Sequence, residues 1–165
     1  MARGHLISLQ LLKQGGTELP AESALSALMS WFAGLTPLDL SFEDLTGITI
    51  EHDELRLPDR LRYHTGPLCH WARLHVRSRG GSATCALNKF LANRSVRSSG
   101  GTIVGLCHMG LTDICRPLHH RGQLLGIFYY GSFVLADRID QVREHVARVC
   151  RDHRVDDAEA LAALE

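Results

Sequence analysis

The sequence predicts an α+β fold, with an antiparallel sheet of about five strands and helices flanking it at both termini. Two observations carry that expectation. Candidate strands come in groups, two between residues 48 and 57 and three between 102 and 135, instead of alternating singly with helices. Apolar stripes at helical spacing precede and follow these groups.

Taken in order, residues 5–13 are short and amphipathic, and Gly15-Gly16 interrupts them. Pro20-Ala21-Glu22 reads as a helix start, and the helix runs to about Phe32 with Leu25, Leu28, Met29 and Phe32 on one face. Pro37 to Asp44 reads as a connector with helix-start character. From Gly47 the period changes: Ile48 and Ile50 alternate with Thr49 and Glu51, which predicts two short strands joined at His52-Asp53. Residues 67–77 predict a helix with Leu68, Trp71, Leu74 and His75 on one side. Residues 78–84 read as a loop. Cys85 opens the next helix, which Gly100-Gly101 closes.

Thr102–His108 is branched and apolar, hence a strand. Asp113–His120 and Gln123–Leu135 form the strongest hairpin pattern in the chain, with Arg121-Gly122 at its turn. The run Leu124–Phe133 is apolar on both faces, as expected of a strand covered on both sides or of one whose second face lines a cavity. A helix over Asp137–Asp152 follows, striped by Ile139, Val142, Val146 and Val149, and the Ala-rich tail is helical. This divides the chain into an N-terminal helical segment (1–36), a central domain (37–135) and a C-terminal helical segment (136–165).

Composition narrows the function. The chain has 165 residues, 45% of them hydrophobic, which is enough for a core. Eighteen basic and eighteen acidic residues give no net charge, so the basic footprint of a nucleic-acid binder is missing. Arg73, Arg77, Arg79, Arg94 and Arg97 read as solvated helix-surface charges, and no helix-turn-helix pattern appears. No run of about 18 apolar residues suggests a membrane span, and the N-terminus lacks a secretory pattern. A cytoplasmic protein with reduced thiols is expected.

The chemistry concentrates in the cysteines and in 106–134. Cys69, Cys85, Cys107 and Cys115 are candidate ligands of zinc or an iron–sulfur cluster, yet none forms a Cys-x-x-Cys knuckle. Cys85 at a helix N-terminus is a candidate redox-sensing thiol, and Cys85 or Cys107 a candidate nucleophile. Cys107 and His108 are strand neighbours pointing to opposite faces, so they form no dyad with each other, and no enzyme is expected. The same cysteines can also be small buried hydrophobes.

A pocket is the other reading. Gly105, Gly126 and Gly131 stand within strands, where glycine weakens the element unless something approaches closely or a bulge forms. Gly126, Phe128, Tyr130 and Ser132 share one face; Leu125, Ile127, Tyr129, Gly131 and Phe133 share the other. One face meets the core and the other can enclose an apolar guest with a few polar anchors. Asp113 either binds a ligand hydroxyl or caps its loop. His108 either contacts the ligand or anchors the loop.

Several of these residues match a known pattern. Cys69 at one helix start, Cys85 at the next, then Cys107-His108-Met109-Gly110-Leu111-Thr112-Asp113, Arg116-Pro117-Leu118, Gly122, Gly126 and Gly131 resemble the PocR-type sensory domain. The resemblance covers about residues 38–135. Leu68 stands where the family often has Phe, Ser132-Phe133 where Gln-Val often follows the last glycine, and Cys115 is additional. It implies a PAS-like fold and a bacterial signalling or transcription-regulatory role, with a small apolar or diol-like ligand and an output domain or partner protein. On the pocket reading the candidate ligand-binding residues are Cys69, Cys85, Cys107, His108, Asp113, Phe128 and Tyr130. Ligand would shift the packing of the sheet against the terminal helices, whose apolar stripes can also pair two chains as a homodimer. No cofactor is expected on this reading; a cysteine-based zinc, iron–sulfur or redox sensor is the main rival, and a thiol enzyme the other.

Overall fold

A computed structural model describes residues 22–76 and 84–164. The amphipathic segment over 5–13, the expected helix start at Pro20-Ala21 and residues 78–83 of the loop expected over 78–84 lie outside the described residues, and Thr84 opens a helix instead. The fold is α+β. Its sheet has four antiparallel strands in the order β1-β4-β3-β2. They are β1 (Asp39–Asp44), β2 (Ile103–Leu106), β3 (Thr112–His120) and β4 (Gln123–Phe133). Around it lie α1 (Ala24–Ala33), α2 (Ile48–Glu51), α3 (Pro67–His75), α4 (Thr84–Ser99), α5 (Ile139–His153) and α6 (Ala158–Ala162).

The expectation of about five strands needs correcting in two places. The connector over 37–44 contains β1, which pairs with β4 through Leu40↔Tyr130 and Phe42↔Phe128. The two strands expected over 48–57 are helical: α2, then a 3-10 turn over Asp53–Leu55. Asp44 is the cause. Its carboxylate accepts from the backbone N–H of Thr46 at 2.9 Å, Gly47 at 2.8 Å and Thr49 at 2.8 Å, and from the Thr49 hydroxyl at 2.7 Å. Gly47, at φ 86, supplies the left-handed residue the reversal requires. The alternating Ile-Thr-Ile is wound into a turn, leaving Ile50 exposed.

The β3–β4 hairpin forms as expected. Arg121 and Gly122 both have positive φ, as a two-residue hairpin turn of matching twist requires. Pro117 sits in an inner strand without cost, because β2 pairs only with Thr112–Cys115 and ends before it.

Three apolar clusters hold the elements. On one sheet face, Met29 of α1 packs with Leu40, Phe42, Leu57 and Leu61, flanked by Phe128 and Tyr130. On the other, Val96 of α4 covers Cys115, Ile127 and Tyr129. The third cluster joins α3, α5 and α6 to the loop between β2 and β3 through Leu68, Trp71, Ala72, Met109, Leu111, Val142 and Val146. Some expected stripes shift. Leu74 is exposed, and Ala72 and Val76 complete the face begun by Leu68 and Trp71. In α1 Met29 is buried while Leu28 is exposed. In α5 Val142 and Val146 are buried, with Ile139 and Val149 half-buried beside them.

Candidate functional site

A cavity of about 130 Å³ lies where α3, the first turns of α4, the 107–111 loop and the ends of β3 and β4 meet. It is close in size to an apolar protein cavity of about 150 Å³ that admits benzene. Cys69, Cys85, Cys107, His108 and Asp113 line it, together with Ala72, Met109, Leu111 and Tyr129. The structure therefore brings together five of the seven residues named as ligand-binding candidates. It does not bring Phe128 and Tyr130, whose rings lie on the opposite sheet face near Phe42 and Phe32.

The reason is a bulge. Strand alternation puts Ser132 on the side of Phe128 and Tyr130. In the fold, Thr112 pairs with Phe133 and Asp113 with Gly131, so Ser132 is an extra residue in β4. Its φ of 55 turns the hydroxyl to the Tyr129 side. There Ser132 Oγ lies 2.7 Å from His64 Nδ1 and accepts a hydrogen bond from the Cys69 thiol at 3.0 Å. Asp113 Oδ1 accepts from the Ser132 N–H at 3.1 Å and lies 3.6 Å from His64 Nδ1. Gly131 is required beside this corner, since a Cβ there would fall 1.9 Å from Asp113 Oδ1.

The opposite rim is cationic and aromatic. Lys89 Nζ donates to Glu43 at 2.9 Å and stands 4.9 Å from the Tyr129 ring centre and 5.4 Å from that of Tyr63. Arg73 donates to the His64 carbonyl at 2.6 Å and its guanidinium lies 5.6 Å from the Tyr63 ring centre. The Tyr129 hydroxyl, on the far side of α4's contact, donates to Asn93 Oδ1 at 2.5 Å. His64, Tyr63, Arg73, Lys89, Tyr129 and Ser132 were not singled out as site residues from the sequence. Arg73 looks in the sequence like a surface charge, and the glycine before Ser132 is the one hint there of a bulge.

Burial governs the ionisation of the site. It pushes Cys69 up to about 11 and Cys107 up to about 12, so both are protonated thiols at neutral pH. Burial raises Cys85 too, opposed by the nearby Arg73 charge. It raises Asp113, against His64 and the Ser132 amide, which favour the carboxylate. His108 is held down at about 4 by burial and by the nearness of His153 and His145. Its Nε2 meets Cys85 Sγ at 3.6 Å, and its buried Nδ1 has no hydrogen-bond partner among the described residues.

The four cysteines named as metal candidates do not gather together. Cys69, Cys85 and Cys107 face the cavity. Cys115 is buried under α4. Among the described residues no group of three or more His, Cys, Asp or Glu side chains is arranged to hold a metal ion. A larger, more open groove of about 490 Å³ runs along Pro67, Leu135, Ile139 and Leu164, behind Cys69 and Ser132. Apart from Cys69 and Ser132, which line both sites, its lining side chains are apolar.

The cavity is also tied to α5. His145 Nε2 is 2.9 Å from the His108 carbonyl oxygen. Ala72, Met109 and Leu111, which form part of the cavity wall, belong to the same cluster as Val142 and Val146. Among the described residues no helix is long and apolar enough to cross a membrane. A family model described as the sensory domain found in PocR matches residues 23–165. No curated protein and no solved structure matches the chain.

Proposed function

The chain belongs to the PocR sensory-domain family, and from that premise we propose that it binds a small molecule in the 130 Å³ cavity and reports occupancy through α5. The observation that carries this reading is the shared wall. Ala72, Met109 and Leu111 line the cavity and belong to the apolar cluster that contains Val142 and Val146 of α5. A guest that favours one packing of these side chains shifts the population of α5 positions. The output is a further domain or a partner protein of a bacterial signalling or transcription-regulatory system. A homodimer through terminal helices is compatible with exposed Leu28, Trp31 and Leu35 on and just after α1.

Membership of a sensory family points away from catalysis. A thiol or metal sensor is the second reading, favoured by three thiols on one cavity wall. The protonated state of Cys69 and Cys107 weighs against it, since the thiolate is the form that attacks and ligates. The test is a thermal-shift screen of the full chain against small alcohols, diols, acids and aromatics. An occupant raises the melting temperature with concentration. Ala72→Leu, which fills the cavity, should abolish the response. A response that survives the filled cavity, or appears only with added zinc or oxidant, would overturn the reading.

A further inference from the structure

The cavity's charges narrow its guest, on the reading that a guest binds there at all. Arg73 lines the cavity and has its carbonyl and aromatic contacts, yet among the described residues it forms no ion pair with a carboxylate. Lys89 differs, because Glu43 neutralises it at 2.9 Å. Cys85 and Ala86, in the first turn of the sixteen-residue α4, form part of the same wall, so the positive end of that helix adds to the Arg73 field. Across the site Asp113 is 8% exposed. Its Oδ1 accepts from the Ser132 amide and faces His64 at 3.6 Å, whereas among the described residues Oδ2 has no hydrogen-bond partner and is not sealed off. The walls between are apolar: Ala72, Met109 and Leu111.

We infer that the guest is a small hydroxy acid, its carboxylate at Arg73 and its hydroxyl on the open oxygen of Asp113. A guanidinium matches a carboxylate in plane and donor spacing. A neutral alcohol at the same place leaves that cation unmatched. A buried carboxylate accepts a hydrogen bond from a hydroxyl, and a protonated carboxyl donates one to the hydroxyl oxygen. The cavity volume of about 130 Å³ limits the carbon skeleton to a size near that of benzene.

The test is calorimetric titration of the full chain with 2-hydroxybutyrate, its primary amide, and butane-1,2-diol. These share a carbon skeleton and a hydroxyl and differ at the end group. The acid should bind at least about tenfold tighter than either neutral compound, the ratio expected for one charge-assisted contact. Arg73→Gln should bring the three within about threefold of one another, and Arg73→Lys should keep part of the preference. Equal or tighter binding of the diol overturns the hydroxy-acid assignment and leaves the cavity reading standing. A preference for the acid that survives Arg73→Gln also overturns it. Binding of none of the three overturns the assignment; the wider thermal-shift screen then judges the cavity itself. Should Arg73→Gln not fold, the acid-against-amide comparison in the unaltered chain still decides.

Discussion

Gly131 and Ser132 show how one backbone irregularity decides the site. A methyl on Gly131 meets the Asp113 carboxylate at 1.9 Å and its Cα at 3.0 Å, so Asp113 and β3 must move. Gly131→Ala is expected to destabilise the fold by about 2 kcal/mol, within the range for overpacking, and to weaken ligand-induced stabilisation. Urea unfolding with and without ligand checks both; a variant within about 0.5 kcal/mol of the parent, the usual range for a harmless surface change, would show that the corner is loosely held. His108 makes a second prediction. It is neutral in the fold, with its folded value near 4, and protonates in the unfolded chain at about 6.5. Its share of stability is full above pH 6.5 and is lost as pH falls through 4, on the order of 3 kcal/mol at most. Asp113 acts in the opposite sense, because a raised acid contributes stability that is lost as pH rises through its folded value. The comparison must therefore be between parent and His108→Gln, unfolded by urea at pH 7, 5.5 and 4; the variant should lose less over that range. At this scale the sequence exposed the cysteines, His108 and Asp113. It hid Ser132, because strand alternation assumes a regular β4, and it hid His64, which reaches the site from a segment before α3 that carries no pattern of its own.

At the scale of elements, strong local patterns were legible and weak ones misled. The β3–β4 hairpin and α3, α4 and α5 follow from turn chemistry and apolar period. β1 was missed since Pro37 and the acids around Leu40 and Phe42 imitate a helix start; its strand character comes from pairing with β4. The 48–51 alternation failed because one carboxylate overrides it. Burial by itself raises the Asp44 pKa, and the bonds from Thr46, Thr49 and Gly47 outweigh that and lower it. Asp44→Ala should cost about 1–3 kcal/mol through the lost charge-assisted bonds, whereas Glu43→Ala, which breaks the Lys89 pair, should cost less. Denaturant midpoints of the two variants test the ranking. Asp44's contribution is present above pH 3.8 and lost as pH falls through its lowered folded value, so the gap between parent and Asp44→Ala should close in acid.

At the scale of the whole molecule the question is whether the cavity and α5 move as one. Two physical links join them. One is the apolar cluster that Ala72, Met109 and Leu111 of the cavity wall share with Val142 and Val146. The other is the contact between His145 and the His108 carbonyl, at 2.9 Å, beside Gly110, where a Cβ would lie 3.3 Å from the His145 ring. Neither link was legible in the sequence, because α5 is distant along the chain and its histidine looks like any surface residue. If they transmit occupancy, ligand should slow amide exchange in α5 and in the 107–111 loop together. His145→Phe keeps a ring over Gly110 but removes the hydrogen bond. It should reduce the ligand-induced protection of α5 and change ligand affinity by no more than the coupling it removes, typically worth about 5–150-fold. By linkage, whatever fixes α5, including an output partner, must change ligand affinity by the same factor that ligand changes partner affinity. Hydrogen exchange of parent and variant, with and without ligand, separates the cases. Undiminished protection of α5 in His145→Phe would assign the coupling to the packed wall alone, and absence of protection in the parent would leave α5 a structural helix with no part in signalling.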